Sequence, residues 1–503
     1  MNLRLVLEKT ARRFGGKTAV AMDKRRLSYT QLDEASNKVA NALLAMGVNK
    51  GDRVAMLLPN SPEFVAIYFG VVKIGAIAVP LDTRYRMDEL IPLFNNSQPK
   101  VLVSGSPTLE PIVPSLSRFS YIQHVIEVGR NGNNFYSYQK IMSTSPLLAP
   151  SVELEPSDIA HIAYTSGPTL HPRGVMLPHE SLVREAAISA QGFQQTEKDV
   201  VVLFALPMHH AFGLVVVLLT AVTQGSTVVM VPGLSIDSVL ETIERERATI
   251  FMGVPFIHLL LASKAAAEGI KHSLSTLRMI GSAGAALPLQ VMKQLRKFFK
   301  KDVVDFWGMT ESSAHVTCQP LNGTAKDGSV GKALPGWELK IVGNDGSELP
   351  PNQSGEIIVR GPIMKGYYGN PEATARTIKN GWLYTGDVGR MDKDGEVFLT
   401  GRSKDIIIVK GQNIYPSDIE EVLYTHPKVA EAAVVGVPDE TRGETIRAII
   451  RLKAGEVATE AEIKHFCREH MADYKVPRQV SFVDSLPQTA AGKIDKKNLS
   501  RLD

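Results

Sequence analysis

Arg53-Val54-Ala55-Met56-Leu57-Leu58, closed by Pro59-Asn60, is followed by an apolar stretch from Ala66 to Leu81 that passes Gly70, Lys73 and Gly75 and ends in Ala76-Ile77-Ala78-Val79-Pro80. A short apolar run bounded by turn residues predicts a buried strand, and Gly75 separates a longer apolar segment from a second one. Upstream, Leu32, Ala35, Val39 and Leu43 recur at helical spacing, so Thr30 to Met46 reads as a helix. Thr30 with Asp33 offers a capping-box-like start, and Gly47 sits just past the end. Downstream, Lys100-Val101-Leu102-Val103 and Thr227-Val228-Val229-Met230-Val231 continue the strand–helix–strand alternation. This pattern predicts α/β layers with partly parallel sheets.

From about Gly328 the texture changes. Leu339–Val342, Glu356–Arg360 and Val397–Leu399 are short β-rich pieces between Gly, Pro and Asp turns. After Arg402 a Lys- and Glu-rich segment begins, which places a domain boundary at Ser403–Asp405.

The 503 residues exceed one ordinary core, and 44% hydrophobic with 21% charged residues describes a globular chain. A formal net charge of +4 makes no case for nucleic acid, while a pI near 8.8 suits anionic ligands locally. Two cysteines, Cys318 and Cys467, form neither a disulfide framework nor a metal-type spacing, which points to a reducing, cytoplasmic compartment. Met1–Glu8 has no signal-peptide pattern. The greasy runs Ala66–Leu81 and Phe212–Val222 are too broken or too short to span a membrane and read as core. Peripheral membrane contact stays open.

Five further stretches carry chemistry: Gly281-Ser282-Ala283-Gly284-Ala285-Ala286-Leu287-Pro288, Trp307-Gly308-Met309-Thr310-Glu311, Tyr384-Thr385-Gly386-Asp387, Gly401-Arg402-Ser403-Lys404-Asp405, and Leu486-Pro487-Gln488-Thr489-Ala490-Ala491-Gly492-Lys493-Ile494. Alone, four of them have a plain reading: a tight turn, a strand end, a surface turn, a solvated lysine. Together, in this order, they resemble the adenylate-forming superfamily of acyl-CoA synthetases, luciferases and peptide-synthetase adenylation domains. The resemblance covers nearly the whole chain. It implies an N-terminal adenylation domain of layered α/β subdomains at 1–402, a hinge at 403–405 with Lys404 as pivot, and a small mobile α+β domain at 406–503.

Such enzymes join a carboxylate to the α-phosphorus of ATP, which requires cations and N–H donors around two anions. By resemblance, Trp307 stacks on adenine where tyrosine is usual. Thr310 bonds the α-phosphate and Glu311 holds Mg²⁺, a hard cation that prefers carboxylate oxygen. Asp305 accepts from the adenine amino group, and Gly284 and Ala285 let backbone approach the flat ring. Asp387 grips the ribose hydroxyls beside Arg402, because a carboxylate accepts two hydrogen bonds at once. Lys493 meets the reacting carboxylate and phosphate. After domain rotation it is replaced by the loop Lys410-Gly411-Gln412-Asn413-Ile414-Tyr415-Pro416, which helps to form the thiol channel. In Leu206-Pro207-Met208-His209-His210-Ala211-Phe212-Gly213, His210 falls on the family's histidine lining the acyl and thiol path, and His209 replaces an aromatic residue. A lone histidine is more often structural, so His210 is read as lining the site rather than as a strict acid or base.

The phosphate loop departs from the family pattern. It reads Thr165-Ser166-Gly167-Pro168-Thr169-Leu170-His171-Pro172-Arg173-Gly174. Thr165, Ser166, Gly167, Thr169 and the cation are kept. Pro168 removes an N–H and fixes φ, Leu170 replaces a permissive glycine, and Arg173 replaces lysine. A stiffer loop with a poorer grip on the β- and γ-phosphates is expected.

The implied activity is an ATP-dependent carboxylic acid–CoA ligase using Mg²⁺ and CoA, with a fatty acid favoured and an aromatic acid as the second choice. The residues expected to wall the acyl pocket, His209, His210, Phe212, Phe256 and Gly281–Gly284, offer no fixed charge for an amino-acid ammonium. Few residues follow Lys493, so a peptide-synthetase module is not expected. The rivals are an adenylating enzyme that loads a separate carrier protein or performs luciferase-like oxidation, and a non-catalytic nucleotide- or acyl-binding homologue.

Overall fold

A computed structural model describes residues 1–129, 135–164, 172–233, 235–321, 325–402, 405, 407–409, 412–439, 443–471, 473–489 and 494–499. The opening stretch folds as its pattern predicts. Arg53–Leu57 and Ile77–Pro80 are strands, and Pro62–Lys73 between them is a helix whose residues are all buried except Glu63. The strands pair in parallel, as a crossover helix requires.

Lys73 looks out of place in this apolar helix. Its side chain is fully buried, and its ammonium donates to Asp33 Oδ1 at 2.5 Å and Asn37 Oδ1 at 2.6 Å. Both partners lie on the helix Tyr29–Ala45, so a paired charge fastens the two helices. That helix starts earlier than the Thr30–Asp33 pattern predicts. Ser28 caps it by accepting from the Gln31 N–H, and the Gln31 side chain accepts from the Ser28 N–H. Two reciprocal bonds outcompete Thr30, which lies inside the first turn.

Arg53–Leu57 and Ile77–Pro80 belong to an eight-stranded sheet that ends in Ile159–Tyr164, Gly174–Pro178 and Gly366–Tyr367. A nine-stranded sheet runs, in order, from Lys332–Ala333 through Thr317–Cys318, Asp302–Trp307, Met279–Ser282, Ile250–Gly253, Val200–Phe204, Thr227–Val231 and Thr18–Met22 to Arg25–Ser28. From Asp302–Trp307 to Thr18–Met22 its strands are parallel. Phe212–Leu219 winds as a π-helix, buried after Phe212, beside this sheet. A third sheet, antiparallel, contains Glu338–Val342, Gly355–Arg360, Trp382–Met391 and Val397–Arg402.

Beyond Arg402 a smaller α+β unit packs Pro416–Thr425 and Glu460–His470 on a sheet built around Val429–Asp439 and Gly443–Leu452. Its apolar cores draw only on residues from Ile407 to Leu499. The chain is therefore a mixed α/β protein with a large N-terminal and a smaller C-terminal domain. Cys318 and Cys467 are buried and free. Among the described residues no helix is long and apolar enough to cross a membrane.

Candidate active site

The C-terminal ends of parallel strands are where open α/β sheets place ligands. Asp302–Trp307 and Met279–Ser282 end together there, with Ser282 opposite Asp305. After Ser282 the chain enters the small-residue turn. Gly284 has φ +90° and, like Ala285, is exposed, so this turn presents backbone rather than side chains.

After Trp307 the chain doubles back on itself. A Cβ at Gly308 would lie 1.7 Å from the Ala314 carbonyl oxygen, so only glycine fits. Thr310–Ser312 form a single 3₁₀ turn, and Ser313 and Ala314 take positive φ. The returning strand Thr317–Cys318 then pairs with Phe306 and Trp307. This reversal presents Thr310, half-buried, and Glu311, buried, beside the strand end.

Glu311 is held from a distant part of the sequence. Tyr367 Oη donates to Glu311 Oε1 at 2.9 Å. Burial and the neighbouring Glu311 push the Tyr367 phenol upward, which keeps it a donor. Tyr367 pairs with Val175, immediately behind the phosphate loop. The Arg173 guanidinium lies 5.6 Å from the centre of the Tyr367 ring. The loop's cation and the expected metal-binding carboxylate thus flank one tyrosine.

A second set of contacts joins Trp307 to the ribose motif. Asp387 lies on Trp382–Met391, opposite Arg402 on Val397–Arg402. Trp307 Nε1 donates to Asp387 Oδ2 at 2.9 Å, and Arg402 Nε lies 3.0 Å from Asp387 Oδ1. Thr385 Oγ1 accepts from the Asp387 N–H at 3.0 Å and donates to the Ile357 carbonyl at 2.7 Å, which fixes the strand beneath.

Asp305 is buried, and burial pushes its carboxyl up to about 8. Its Oδ2 lies 3.5 Å from the Leu287 N–H, at the end of the small-residue turn. A carboxyl in this environment is mostly neutral near pH 7, yet its carbonyl oxygen still accepts a hydrogen bond.

The histidine stretch follows Val200–Phe204, two strands along the same sheet from Met279–Ser282. Asn60 Nδ2 donates to the Leu206 carbonyl at 2.8 Å and Asn60 Oδ1 accepts from the Met208 N–H at 2.8 Å, so this turn is clamped at its base. The His209 and His210 rings lie 4.4 Å apart. Phe212 packs edge-on against Phe306 at 5.2 Å, next to Trp307 in sequence. His209 Nε2 lies 3.5 Å from Asp82 Oδ2, and Arg84 grips the same carboxylate at 2.8 Å. Burial works to raise the Asp82 carboxyl, but the hydrogen bonds from Arg84 and the nearby His209 ring outweigh it and hold it well below the usual range. On the far side, His258 Nε2 lies 3.0 Å from the Gly281 carbonyl, tying the helix of Phe256 to the start of the turn.

The structure thus brings together Trp307, Asp387 and Arg402, and separately Glu311 with Arg173. Thr165, Ser166, Gly167, Thr169, Lys404 and Lys493 lie outside the described residues. Tyr367, Asp82 and Asn60 were not singled out by sequence reading. For Asp82 a signal existed, an acid directly after the buried run Ala76–Leu81. Tyr367 and Asn60 carry no local signal.

Residues 7–368 match the family profile described as AMP-binding enzyme, and residues 418–493 match the AMP-binding enzyme C-terminal domain. The chain belongs to the AMP-binding enzyme family. Its relatives in this family include the long-chain-fatty-acid–CoA ligase of Bacillus subtilis, 33% identical over 99% of this chain and 94% of that protein. The indoleacetate–CoA ligase of Aromatoleum aromaticum is 34% identical over 97% of this chain and 95% of that protein. Among solved structures, the anthranilate CoA ligase AuaEII in complex with anthranoyl-AMP superposes with a TM-score of 0.93. That structure is 30% identical and the match covers 100% of this chain and 97% of that one. The resemblance read from the motifs is therefore correct at the level of family and fold.

Proposed function

We infer that the chain is an AMP-forming, ATP-dependent carboxylic acid–CoA ligase. The observation that carries the assignment of roles is the bonding of Trp307 and Arg402 to the two oxygens of Asp387, at 2.9 and 3.0 Å, at the C-terminal edge of the parallel sheet. This arrangement supports a nucleoside site in which Trp307 covers the adenine face, Gly284 and Ala285 let the ring approach, Asp305 accepts from its amino group, and Asp387 with Arg402 holds the sugar.

Thr310 and Arg173 then face the phosphates together with Thr165, Ser166, Gly167 and Thr169. In the first half-reaction an oxygen of the substrate carboxylate bonds to the α-phosphorus while the bond to pyrophosphate breaks, and pyrophosphate leaves with that electron pair. Lys493 neutralises the charge that gathers on the phosphoryl oxygens. In the second, the CoA thiol gives up its proton to solvent as its sulfur bonds to the acyl carbon, and the acyl–oxygen bond breaks so that AMP leaves with that electron pair. Lys404 is the pivot on which residues 406–503 turn between the two steps, exchanging Lys493 for the 410–416 loop.

The site fits Mg²⁺. Glu311 offers a hard carboxylate, and among the described residues no group of three His, Cys, Asp or Glu could cage a metal. One protein oxygen plus phosphates and water is the usual way this ion is bound. When present it would draw charge from the phosphates, and Glu311, kept in place by Tyr367, would hold it.

The acyl group lies among His209, His210, Phe212, Phe256 and the Gly281–Gly284 turn, with His210 lining the path to the reacting carboxylate. These walls suit a fatty acid, with an aromatic acid as the second choice. A screen of free acids with ATP, Mg²⁺ and CoA, read by mass spectrometry, should yield a long-chain acyl thioester with release of AMP and pyrophosphate. Pyrophosphate release that is indifferent to CoA would favour loading of a carrier protein. No pyrophosphate with any acid would leave only nucleotide or acyl binding.

A further inference from the structure

We propose that Trp307 sets nucleotide selectivity at the sugar as well as at the base, because its indole N–H orients the carboxylate that reads the ribose. The inference rests on the nucleoside site proposed above. An indole nitrogen can only donate, so at 2.9 Å from Asp387 Oδ2 it commits its hydrogen to that oxygen. Trp307 and Asp387 are both buried, which makes this a shielded hydrogen bond to a carboxylate rather than a passing surface contact. Arg402 Nε takes the other oxygen. Two donors on two oxygens fix both the position and the plane of the carboxylate before any sugar arrives.

The two donors are not equivalent. The Arg402 side chain is 46% exposed and long, so its contribution is screened and mobile. Trp307 is fixed by the sheet on which it sits and by the reversal at Gly308 behind it. The indole is therefore the rigid member of the clamp. It also joins base and sugar recognition in one bonded pair, Trp307–Asp387, across strands of two different sheets. A phenylalanine would keep the ring face and lose the N–H. A tyrosine would keep the face but carry its donor at the ring tip, away from the position of Nε1.

The test is calorimetric titration of the full chain with AMP and with 2′-deoxyAMP, which needs no knowledge of the acid. The parent should prefer AMP. In Trp307→Phe the preference for AMP over 2′-deoxyAMP should fall by about three- to tenfold, the usual cost of losing a hydrogen bond that aligns a charged acceptor. Trp307→Tyr should behave as Trp307→Phe, and it carries the test if the phenylalanine variant melts early. Equal weakening for both nucleotides would overturn the inference and leave the nucleoside site standing, with Trp307 a stacking platform only. Unchanged affinity for both, or no AMP binding by the parent, would overturn the site as well.

Discussion

Tyr367 and Glu311, 56 positions apart in sequence, meet through a hydrogen bond of 2.9 Å from phenol to carboxylate. One oxygen of the carboxylate expected to hold Mg²⁺ is thereby taken by a buried donor, and the other is left in a defined direction. Tyr367→Phe should raise the Mg²⁺ concentration needed for half-maximal pyrophosphate release and lower kcat/KM about tenfold, with little change in melting temperature. Unaltered Mg²⁺ dependence would show that Glu311 needs no such support.

Asp305 supplies a pH signature. Its carboxyl, raised by burial to about 8, stays protonated in the fold over a range in which it ionises in the unfolded chain. The folded state therefore holds the extra proton. This group's contribution to stability is intact below the unfolded carboxylate range and is lost as pH rises toward 8. Asp305→Asn, neutral at all pH values, should gain stability over the parent as pH rises from 5 to 8, by up to about 1.4 kcal/mol per pH unit. Parallel stability curves for the two proteins would contradict this.

Pro168 and Leu170 stand where the family carries a hydroxyl residue and a glycine, so Pro168→Thr with Leu170→Gly should restore an N–H donor and backbone freedom. The double variant should show a lower ATP KM or faster adenylation, by about tenfold. Kinetics equal to the parent would mean that the altered loop is no handicap.

How far the sequence could be read depended on the range of the contacts. The strand–helix–strand run around Arg53–Pro80 was legible because burial on both faces leaves a near-continuous apolar signature. The motifs at 281–288, 307–311 and 384–387 were legible because each packs its chemistry into a few consecutive residues. What could not be read were pairings across the fold. Nothing near Lys73 in sequence announces Asp33, and nothing near Glu311 announces Tyr367. The replacement of tyrosine by Trp307 was visible, but its bond to Asp387 depends on how two sheets meet. The helix start at Ser28 was missed for a smaller reason: two overlapping capping patterns compete, and only geometry selects the reciprocal one.

The central claim is that one lysine near the C-terminus, Lys493, supplies the positive charge for the first half-reaction and is dispensable for the second. It is the last residue of the stretch matched by the C-terminal domain profile. The decisive measurement is the single-turnover rate of acyl-adenylate formation in Lys493→Ala, alongside the rate of thioester formation from acyl-adenylate supplied ready-made. Loss of a group that stabilises transition-state charge should slow the first step by about 10²–10³-fold and leave the second within about twofold. Adenylate formation as fast as in the parent would contradict the account.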